Sequence, residues 1–585
     1  MTFDRSGSIR HKSGDKNGTF QNYVSPFMRL LQHYQRLSQA LPAHDGPARL
    51  ADIAAALHCS PRHARELMQS MAENGWLQWQ PGLGRGHASR LRLLAPAGQL
   101  EMDAVRGHLA DGDIEKAMRL LPAAARRQVT ELLPAYLGIP PAEPQTLRLP
   151  FYRPLHSLDP ARINRRTECH LIRQIFDGLT RYDRGKQEIV PALAHHWSHD
   201  GDWRGWRFHL RPGAVFHHGR ALDGEDVRQT LLRLRDEAGP HQELLSHLEN
   251  VALPAPLTVD IHLARPDALL PRRLADSAAS ILPRDCWTRA DFGRFPIGTG
   301  AFKLEANNDY RATLRAFDRH WKERPLLDTV DIWVINDPDV QARLDARFCH
   351  PDELAVRPSL RRLEAGCSYL AANPARLDAI QRQALADWLP PAIWQAALPG
   401  EAALGMLPQW RHRPLPVQAP PPRLPATLRL ATYQLSAHIE LAEAVARRLR
   451  EAGCRIELTV MPYPDFARYD WLDNADLLLT GEVMADDMDF GVYQWLCQEA
   501  GYHRWLEEGA RQRMRLAERK LAMEPDAERR WQGYEALARA LVEEASLIPL
   551  RHHVQTMEFA PRLQGVTLAQ CGWMDFDKVW LAPPF

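Results

Sequence analysis

No run of about 18 apolar residues, the length a membrane-crossing helix needs, occurs in this chain, so a helical membrane protein is excluded. The first 26 residues are polar and rich in Gly, Ser and Lys, without the apolar stretch of a secretion signal. A cytoplasmic location is expected. The eight cysteines (Cys59, Cys169, Cys286, Cys349, Cys367, Cys454, Cys497 and Cys571) are scattered with no CxxC pair, which argues for reduced, buried thiols against a disulfide framework or zinc ribbon. GxSxG is absent, as is the spacing of GxGxxG or GxxxxGK, so neither a serine hydrolase nor a phosphate loop is indicated. No catalytic constellation and no cofactor motif stands out, and an enzyme is not expected. The pairs His195-His196, His217-His218 and His552-His553 suggest metal only superficially. Adjacent residues of a strand point to opposite faces, whereas metal ligands must converge.

What is present is a long soluble chain with an uneven charge. Its 585 residues exceed one ordinary core, and two to four domains are expected. Hydrophobic content of 45% and charged content of 25% are those of a globular protein. The formal net charge is only +1, yet residues 1–96 carry 12 Lys/Arg against 6 Asp/Glu and the remainder 61 against 66. A basic front on a mildly acidic body fits a nucleic-acid reader joined to something else.

The front end has the pattern of such a reader. Leu50, Ile53, Ala54 and Leu57 form the apolar stripe of one short helix, and Ala64, Leu67, Met68 and Met71 that of a second. His58-Cys59-Ser60 separates them. Ser60 suits the N-cap and Pro61 the first helical position, and Gly75 suits the C′ residue that ends the helix. Two short helices on a tight turn read as a helix-turn-helix. Trp76–Trp79 and Arg90–Leu93 then read as strands around the glycine-rich loop Pro81–His87, which completes a winged helix. Off the apolar face, Arg62, His63, Arg65, Glu66 and Gln69 can meet base edges and phosphates, beside Ser60 and Pro61 at the helix start. Arg85, His87, Ser89 and Arg90 give a basic wing. The expected partner is double-stranded DNA.

Upstream, residues 1–25 read as disordered, and Phe27, Leu30, Leu31, Tyr34 and Leu41 mark a supporting helix. Residues 97–137 read as helices, ending in the proline-rich Gly138–Pro144. This segment is a connector or a dimerising element, and the sequence does not separate the two, so a homodimer stays open. From Leu147 short strands alternate with helices: Thr167–Leu179, Asp226–Arg235 and Ile439–Glu451 as helices, Trp206–Leu210, Thr258–Leu263, Thr427–Thr432 and Arg455–Val460 as strands. That alternation predicts mainly parallel, doubly wound sheets in two lobes.

Residues 147–585 resemble an extracellular solute-binding protein of the peptide/nickel-binding family, family 5. Ile175–Arg181 is similar to the first helix and its exit. Pro191-Ala192-Leu193-Ala194 with Trp197, then Trp206–Gly219 followed by Asp226-Val227, carry the best-defined motifs. Pro296–Phe302 matches a P-[IV]-G-T-G-P-[YF] segment with Ala301 in place of the usual proline. Cys367–Asn373 resembles the crossover into the second lobe and Ile548-Pro549-Leu550 the return. Joined to the winged helix, the whole resembles the SgrR family of transcriptional regulators. Cys59–His63, Asn74–Leu77, Gly84-Arg85-Gly86, Tyr152–Leu155 and Gly572–Phe576 support this. The resemblance implies promoter binding by the front and sensing of a small metabolite by the body, with sugar-phosphate stress the best-known trigger. The alternative is a solute- or oligopeptide-binding protein of an ABC transporter, which would carry an export signal and no basic reader.

The expected architecture is therefore multidomain α/β. Residues 26–96 are the winged helix-turn-helix and 97–145 a helical connector. A bilobal periplasmic-binding-protein-like (type II) domain follows, with lobe I at 146–366, lobe II at 367–545 and the return to lobe I at 546–585. The first lobe looks shortened between Asp331 and Gly366. The family's W-x-A-D-Y-x-D-P segment appears only as Val483–Phe490. Asp486 takes the place of the carboxylate that holds a ligand amino group in peptide binders, without the flanking Trp, Tyr and Pro, which points to a different ligand. Expected cleft positions are Thr180, Arg181, Trp410, Tyr433 and Asp486. A cleft-facing Arg181 would suit an anionic small-molecule ligand.

Overall fold

The computed structural model describes residues 26–41, 45–82, 88–94, 96–110, 117, 120, 145–335, 338–349, 353, 355–389, 400–413, 419–498 and 501–583. Residues 1–25, Arg85 and His87 of the wing, most of the connector beyond Ala110 and part of the Pro414–Pro425 cluster lie outside them. The chain divides into two units, Met1–Ile139 and Pro140–Phe585. No described helix is long and apolar enough to cross a membrane.

In the first unit, α1 (Pro26–Ala40), α2 (Leu50–Ala56) and α3 (Pro61–Glu73) enclose a core of Leu31, Tyr34, Leu37, Ile53, Leu57, Met68 and Met71. The apolar stripes read from the sequence are the buried faces. Ser60 caps α3, its hydroxyl accepting the His63 N–H at 3.3 Å. Gly75 ends the turn after α3 at φ +73°, a left-handed position that costs a side-chain-bearing residue energy. Tyr34 fastens α1 to the far end of that turn by donating to the Trp76 carbonyl at 2.9 Å. The sheet has three strands in the order β1-β3-β2, where β1 is Asp45–Ala48, β2 Leu77–Gln80 and β3 Ser89–Leu93. The sequence showed only two of them. Asp45-Gly46-Pro47-Ala48 has no β-forming residue, and it is a strand because it occupies an edge, where proline is tolerated. Helix α4 (Ala97–Ala110) packs against α1.

The second unit is the two-lobed α/β domain expected, but its strands are mostly antiparallel. Lobe I has one sheet from β7 (Ala194–His199), β8 (Gly205–Leu210), β9 (Leu248–Ala255) and β10 (Thr258–Leu263), all antiparallel neighbours. A second combines β4 (Thr146–Phe151), β11 (Phe302–Asn307), β12 (Arg311–Ala316) and β13 (Thr329–Val334), with only β13–β4 parallel. The pairs β7–β8, β9–β10 and β11–β12 are joined by connections too short for a crossover, so these strands reverse direction instead. Lobe II holds a six-stranded mixed sheet, β17-β21-β16-β20-β18-β19. Its β18 (Thr427–Tyr433) and β19 (Arg455–Met461) are parallel, joined by the helix Ser436–Glu451 as the sequence predicts. Its β16 is Gly366–Ala372, β17 Glu401–Ala402, β20 Leu477–Val483 and β21 Leu547–His552.

One boundary moves. The return to lobe I was expected from residue 546, but β21 pairs with β16 and β17 inside the lobe II sheet. Only β22 (Val554–Phe559) leaves, pairing with β14 (Ala346–Cys349) and β15 (Ser359–Leu363). The strands β15 to β16 and β21 to β22 thus run side by side between the lobes. At the outward crossing Gly366 has φ +155°, and a Cβ there would stand 1.9 Å from the Glu482 carbonyl. No other residue fits that crossing.

Candidate functional site

The α3 residues expected to read DNA lie on the outer side of that helix. Arg62, His63, Arg65, Glu66 and Gln69 are all exposed, while Ala64, Met68 and Met71 are buried beneath them. Arg62 is 92% exposed, and its ion pair among the described residues is the loose i,i+4 contact to Glu66 at 3.5 Å, worth a few tenths of a kcal/mol at most. On the wing, Arg90 is exposed and pairs loosely with Asp45 at 3.4 Å. Ser89 does not face outward: it is 5% exposed, and its hydroxyl accepts the Gly82 N–H at 3.3 Å, closing the hairpin. Alternation along β3 turns Ser89 inward when Arg90 points out.

The second unit contains a cleft of about 680 Å³ between its lobes, a volume suited to a small solute. Its lobe I wall is the polar side of α5 (Arg166–Ile175), whose Leu171, Ile172 and Ile175 are buried behind. Arg166, Cys169 and Arg173, spaced i, i+3, i+7, line the cavity. The lobe II wall comes from the ends of β18 and β20, which place Tyr433 and Thr480–Asp486 against it.

Most charges here are already matched. Glu168, fully buried, accepts from both Arg153 (2.7 Å) and the His156 N–H (2.9 Å). Glu364 takes Arg166 at 2.9 Å and Gln555 at 2.5 Å. Burial pushes its carboxyl up, but the Arg166 charge, His553 and the hydrogen bonds from Arg166 and Gln555 together hold Glu364 below the usual range. Asp276 accepts the Ala278 N–H at 2.8 Å, while the Glu243 side chain is exposed and has no such partner among the described residues. Arg173 differs: it is exposed within the cleft and makes no hydrogen bond or ion pair among the described residues. Desolvation within the cleft opposes its charge, but the acidic groups around it, Asp486 first and Asp276 next, together favour it, so it stays a guanidinium. Behind Tyr433, His438 is buried and held well below its usual pKa by desolvation, a neutral ring 6.2 Å from that of His553. His553 Nε2 lies 2.6 Å from the Ser368 hydroxyl.

Of the five expected cleft residues, the structure brings Tyr433 and Asp486 to the cavity. Three lie elsewhere. Thr180 is 1% exposed, and its hydroxyl donates to the Pro271 carbonyl at 2.6 Å, a structural bond inside lobe I. Arg181 sits on the hairpin of β5 (Thr180–Asp183) and β6 (Glu188–Pro191) and pairs with Asp183 at 3.5 Å, away from the cleft. Trp410 is 3% exposed and packs against Trp531 at 5.5 Å in the core. The residues missed are Arg166 and Arg173. Their i,i+7 spacing on a helix with an apolar opposite face was the available signal.

His217 and His218, in the turn after Val215, point to different partners. His217 Nε2 is 3.0 Å from the Gly300 carbonyl, while His218 turns to Asp285 at 3.3 Å. His218, Asp285 and Cys286 do bring ligand atoms within 4.8 Å, but Arg220 already donates to Asp285 at 3.0 Å.

Comparison with known proteins agrees with both halves. The model for the N-terminal region of sugar transport-related sRNA regulators matches residues 29–140, and that for bacterial extracellular solute-binding proteins, family 5, middle region, matches residues 188–346. The HTH-type transcriptional regulator SgrR of Yersinia enterocolitica is 31% identical over 573 residues, 95% of this chain and 99% of that one. The chain belongs to the SgrR family. It is a ligand-sensing, DNA-binding transcriptional regulator, built from the helix-turn-helix unit and the solute-binding domain described above. Among solved structures, the Escherichia coli murein tripeptide binding protein MppA superposes with a TM-score of 0.64 at 18% identity, over 75% of this chain and 99% of its own. The binding protein AgaA of A. tumefaciens, in complex with agropinic acid, gives 0.64 at 19%, again over 75% and 99%. At that identity they establish the fold of the SgrR sensor domain and leave its ligand to the cleft itself.

Proposed function

We propose that this SgrR-family member binds promoter DNA through α3 and the wing, and that a small anionic solute taken up in the lobe cleft changes that binding. The observation carrying the solute class is Arg173, a guanidinium with no hydrogen bond or ion pair among the described residues, in a cavity whose other arginines are engaged. Guanidinium offers paired donors to phosphate or carboxylate, and a sugar phosphate or related metabolite has the right charge and size. In the reader, Arg62, His63, Arg65 and Gln69 supply donors for base edges or phosphates, Glu66 an acceptor, and Arg90, with Arg85 and His87, the wing contacts. Ser60 and Pro61 set the start of α3. The protein acts where the promoter is, in the cytoplasm, and a homodimer is part of this reading, since a helix-turn-helix pair matches a two-fold operator. Coupling requires that the solute bind one conformation better than the other.

The test is titration calorimetry of the full chain with glucose 6-phosphate and with glucose. Binding of the phosphorylated sugar alone, weakened about tenfold or more by Arg173→Ala, is expected, the scale of one charge-assisted contact. Equal affinity for both sugars, or indifference to the substitution, would overturn the anionic assignment.

A further inference from the structure

Two tight turns of lobe I bring His218, Asp285 and Cys286 together, and none of the three lines the lobe cleft. In the first turn the Phe216 carbonyl accepts the Gly219 N–H at 2.8 Å, and Gly219, at φ +94°, supplies the left-handed residue the reversal needs. His218 stands exposed on it. The second turn, Pro283–Cys286, is closed by the Cys286 N–H donating to the Pro283 carbonyl at 3.0 Å. It leaves Asp285 exposed and sinks Cys286 to 6% exposure in the apolar core of lobe I. One ligand atom from each side chain lies within 4.8 Å of the other two. His218 Nε2 is 3.3 Å from Asp285 Oδ2. Two ligand atoms on one tetrahedral zinc, each about 2.0–2.1 Å from it, stand about 3.3 Å apart. An ordinary ion pair has that spacing too, but it has no use for a thiol beside it.

Arg220 does not fill the place. Its guanidinium donates to Oδ1 of Asp285, and it is itself held by the buried Asp226 at 2.6 Å and stacked over Phe216 at 4.9 Å. It therefore fixes the carboxylate by one oxygen and leaves Oδ2 turned to His218, as an outer partner orients a metal-binding carboxylate. The other guanidinium groups that pair at these turns are matched without Asp285, Arg284 by Asp223 and Arg289 by Asp291. We propose that His218, Asp285 and Cys286 bind a divalent transition-metal ion, zinc first, with the fourth position open to solvent. A thiolate with an imidazole and a carboxylate suits zinc, whereas magnesium and calcium take oxygen ligands. Burial and the Asp285 charge push the Cys286 thiol up, so the metal–sulfur bond forms as the thiol proton leaves to solvent. The bound ion would staple one turn to the other at the start of the helix Gly224–Asp236, whose Asp226 already pairs with Arg220 and Arg284 from the two sides.

The experiment is titration of the chelator-stripped full chain with Zn²⁺ against a chromophoric competitor, and with Cd²⁺ followed by the ultraviolet absorption of a cadmium–thiolate bond. The wild type should show one tight zinc site, unaffected by excess Mg²⁺, and one cadmium–thiolate bond. Cys286→Ser should remove that absorption and weaken the zinc site about tenfold or more, at least the cost of losing an outer partner of a metal ligand. His218→Gln and Asp285→Asn should each weaken zinc to a similar degree. If Cys286→Ser folds poorly, His218→Gln, at an exposed side chain, carries the test. Cys59→Ser, in the turn before α3, should change neither signal. A wild type without a tight zinc site would overturn the proposal and leave His218 and Asp285 as an ion pair. So would a site unmoved by both Cys286→Ser and His218→Gln, or one lost in Cys59→Ser, which places the metal elsewhere.

Discussion

The two functional surfaces of this protein treat charge in opposite ways. On α3, Arg62, Arg65 and Glu66 stand in water with loose partners or none among the described residues. In the sensor cleft, Arg153, Glu168, Arg166 and Glu364 are tied into short pairs, while Arg173 makes no hydrogen bond or ion pair among the described residues. A reader of DNA gains by holding many exchangeable cations, since each neutralised phosphate releases a counterion. A pocket for one small solute gains by satisfying all but the group that must discriminate. The difference predicts that the reader tolerates substitution without unfolding, whereas the sensor does not.

The sharpest break should come from Asp267→Ala. Arg273 is 1% exposed and depends on Asp267 at 2.5 Å for its charge partner. Orphaning it should cost the sensor about 3–5 kcal/mol, visible as loss of its transition in denaturant melts. Arg62→Ala, by contrast, should leave the reader's melting unchanged.

Acid should separate the units next. Burial lowers His170 to about 3, and His217 and His503 to about 4, all in the sensor. The unfolded chain takes up protons near pH 6.5 that these folded histidines refuse, so stability is lost as pH falls below that value. Between pH 6.5 and 5.5 the three together should remove about 3 kcal/mol from the sensor. Melting curves across that range check this; a sensor transition flat with pH would contradict it.

Arg62→Ala with Arg65→Ala should weaken promoter binding by about 1–3 kcal/mol for every arginine that reads a base, and should lower the salt slope by about one for every arginine that neutralises a phosphate. Unchanged affinity and slope would remove α3 from the interface. Smallest is Ser60→Ala, which removes the cap of α3 and should cost the reader about 1 kcal/mol, read from its melting temperature.

The same contrast explains what the sequence revealed. The reader is built from neighbours in the chain. The spacing of Ile53, Leu57, Met68 and Met71, the Ser60-Pro61 start and the Gly75 stop are local, and they predict the helices, the buried face and hence the exposed reading face. Strand β1 escaped because its four residues have no strand preference and are held only by pairing with β3. The sensor is built from residues far apart. The reversal of direction in its sheets follows from which strands meet, and the place of β21 in lobe II from pairing with β16, neither of which periodicity reports. Thr180 and Trp410 were expected at the cleft, yet a hydrogen bond to Pro271 and the packing of Trp531 claim them. His218 and Cys286 lie far apart in the chain and meet only in the folded domain.

The most direct measurement is fluorescence anisotropy of the full chain on the duplex upstream of its own gene, against a scrambled duplex, with and without glucose 6-phosphate. Preference for the upstream duplex, with an affinity that changes on adding the phosphorylated sugar in the wild type but not in Arg173→Ala, is the predicted result. Preferential DNA binding indifferent to the sugar phosphate, or equal weak binding to both duplexes, would contradict it.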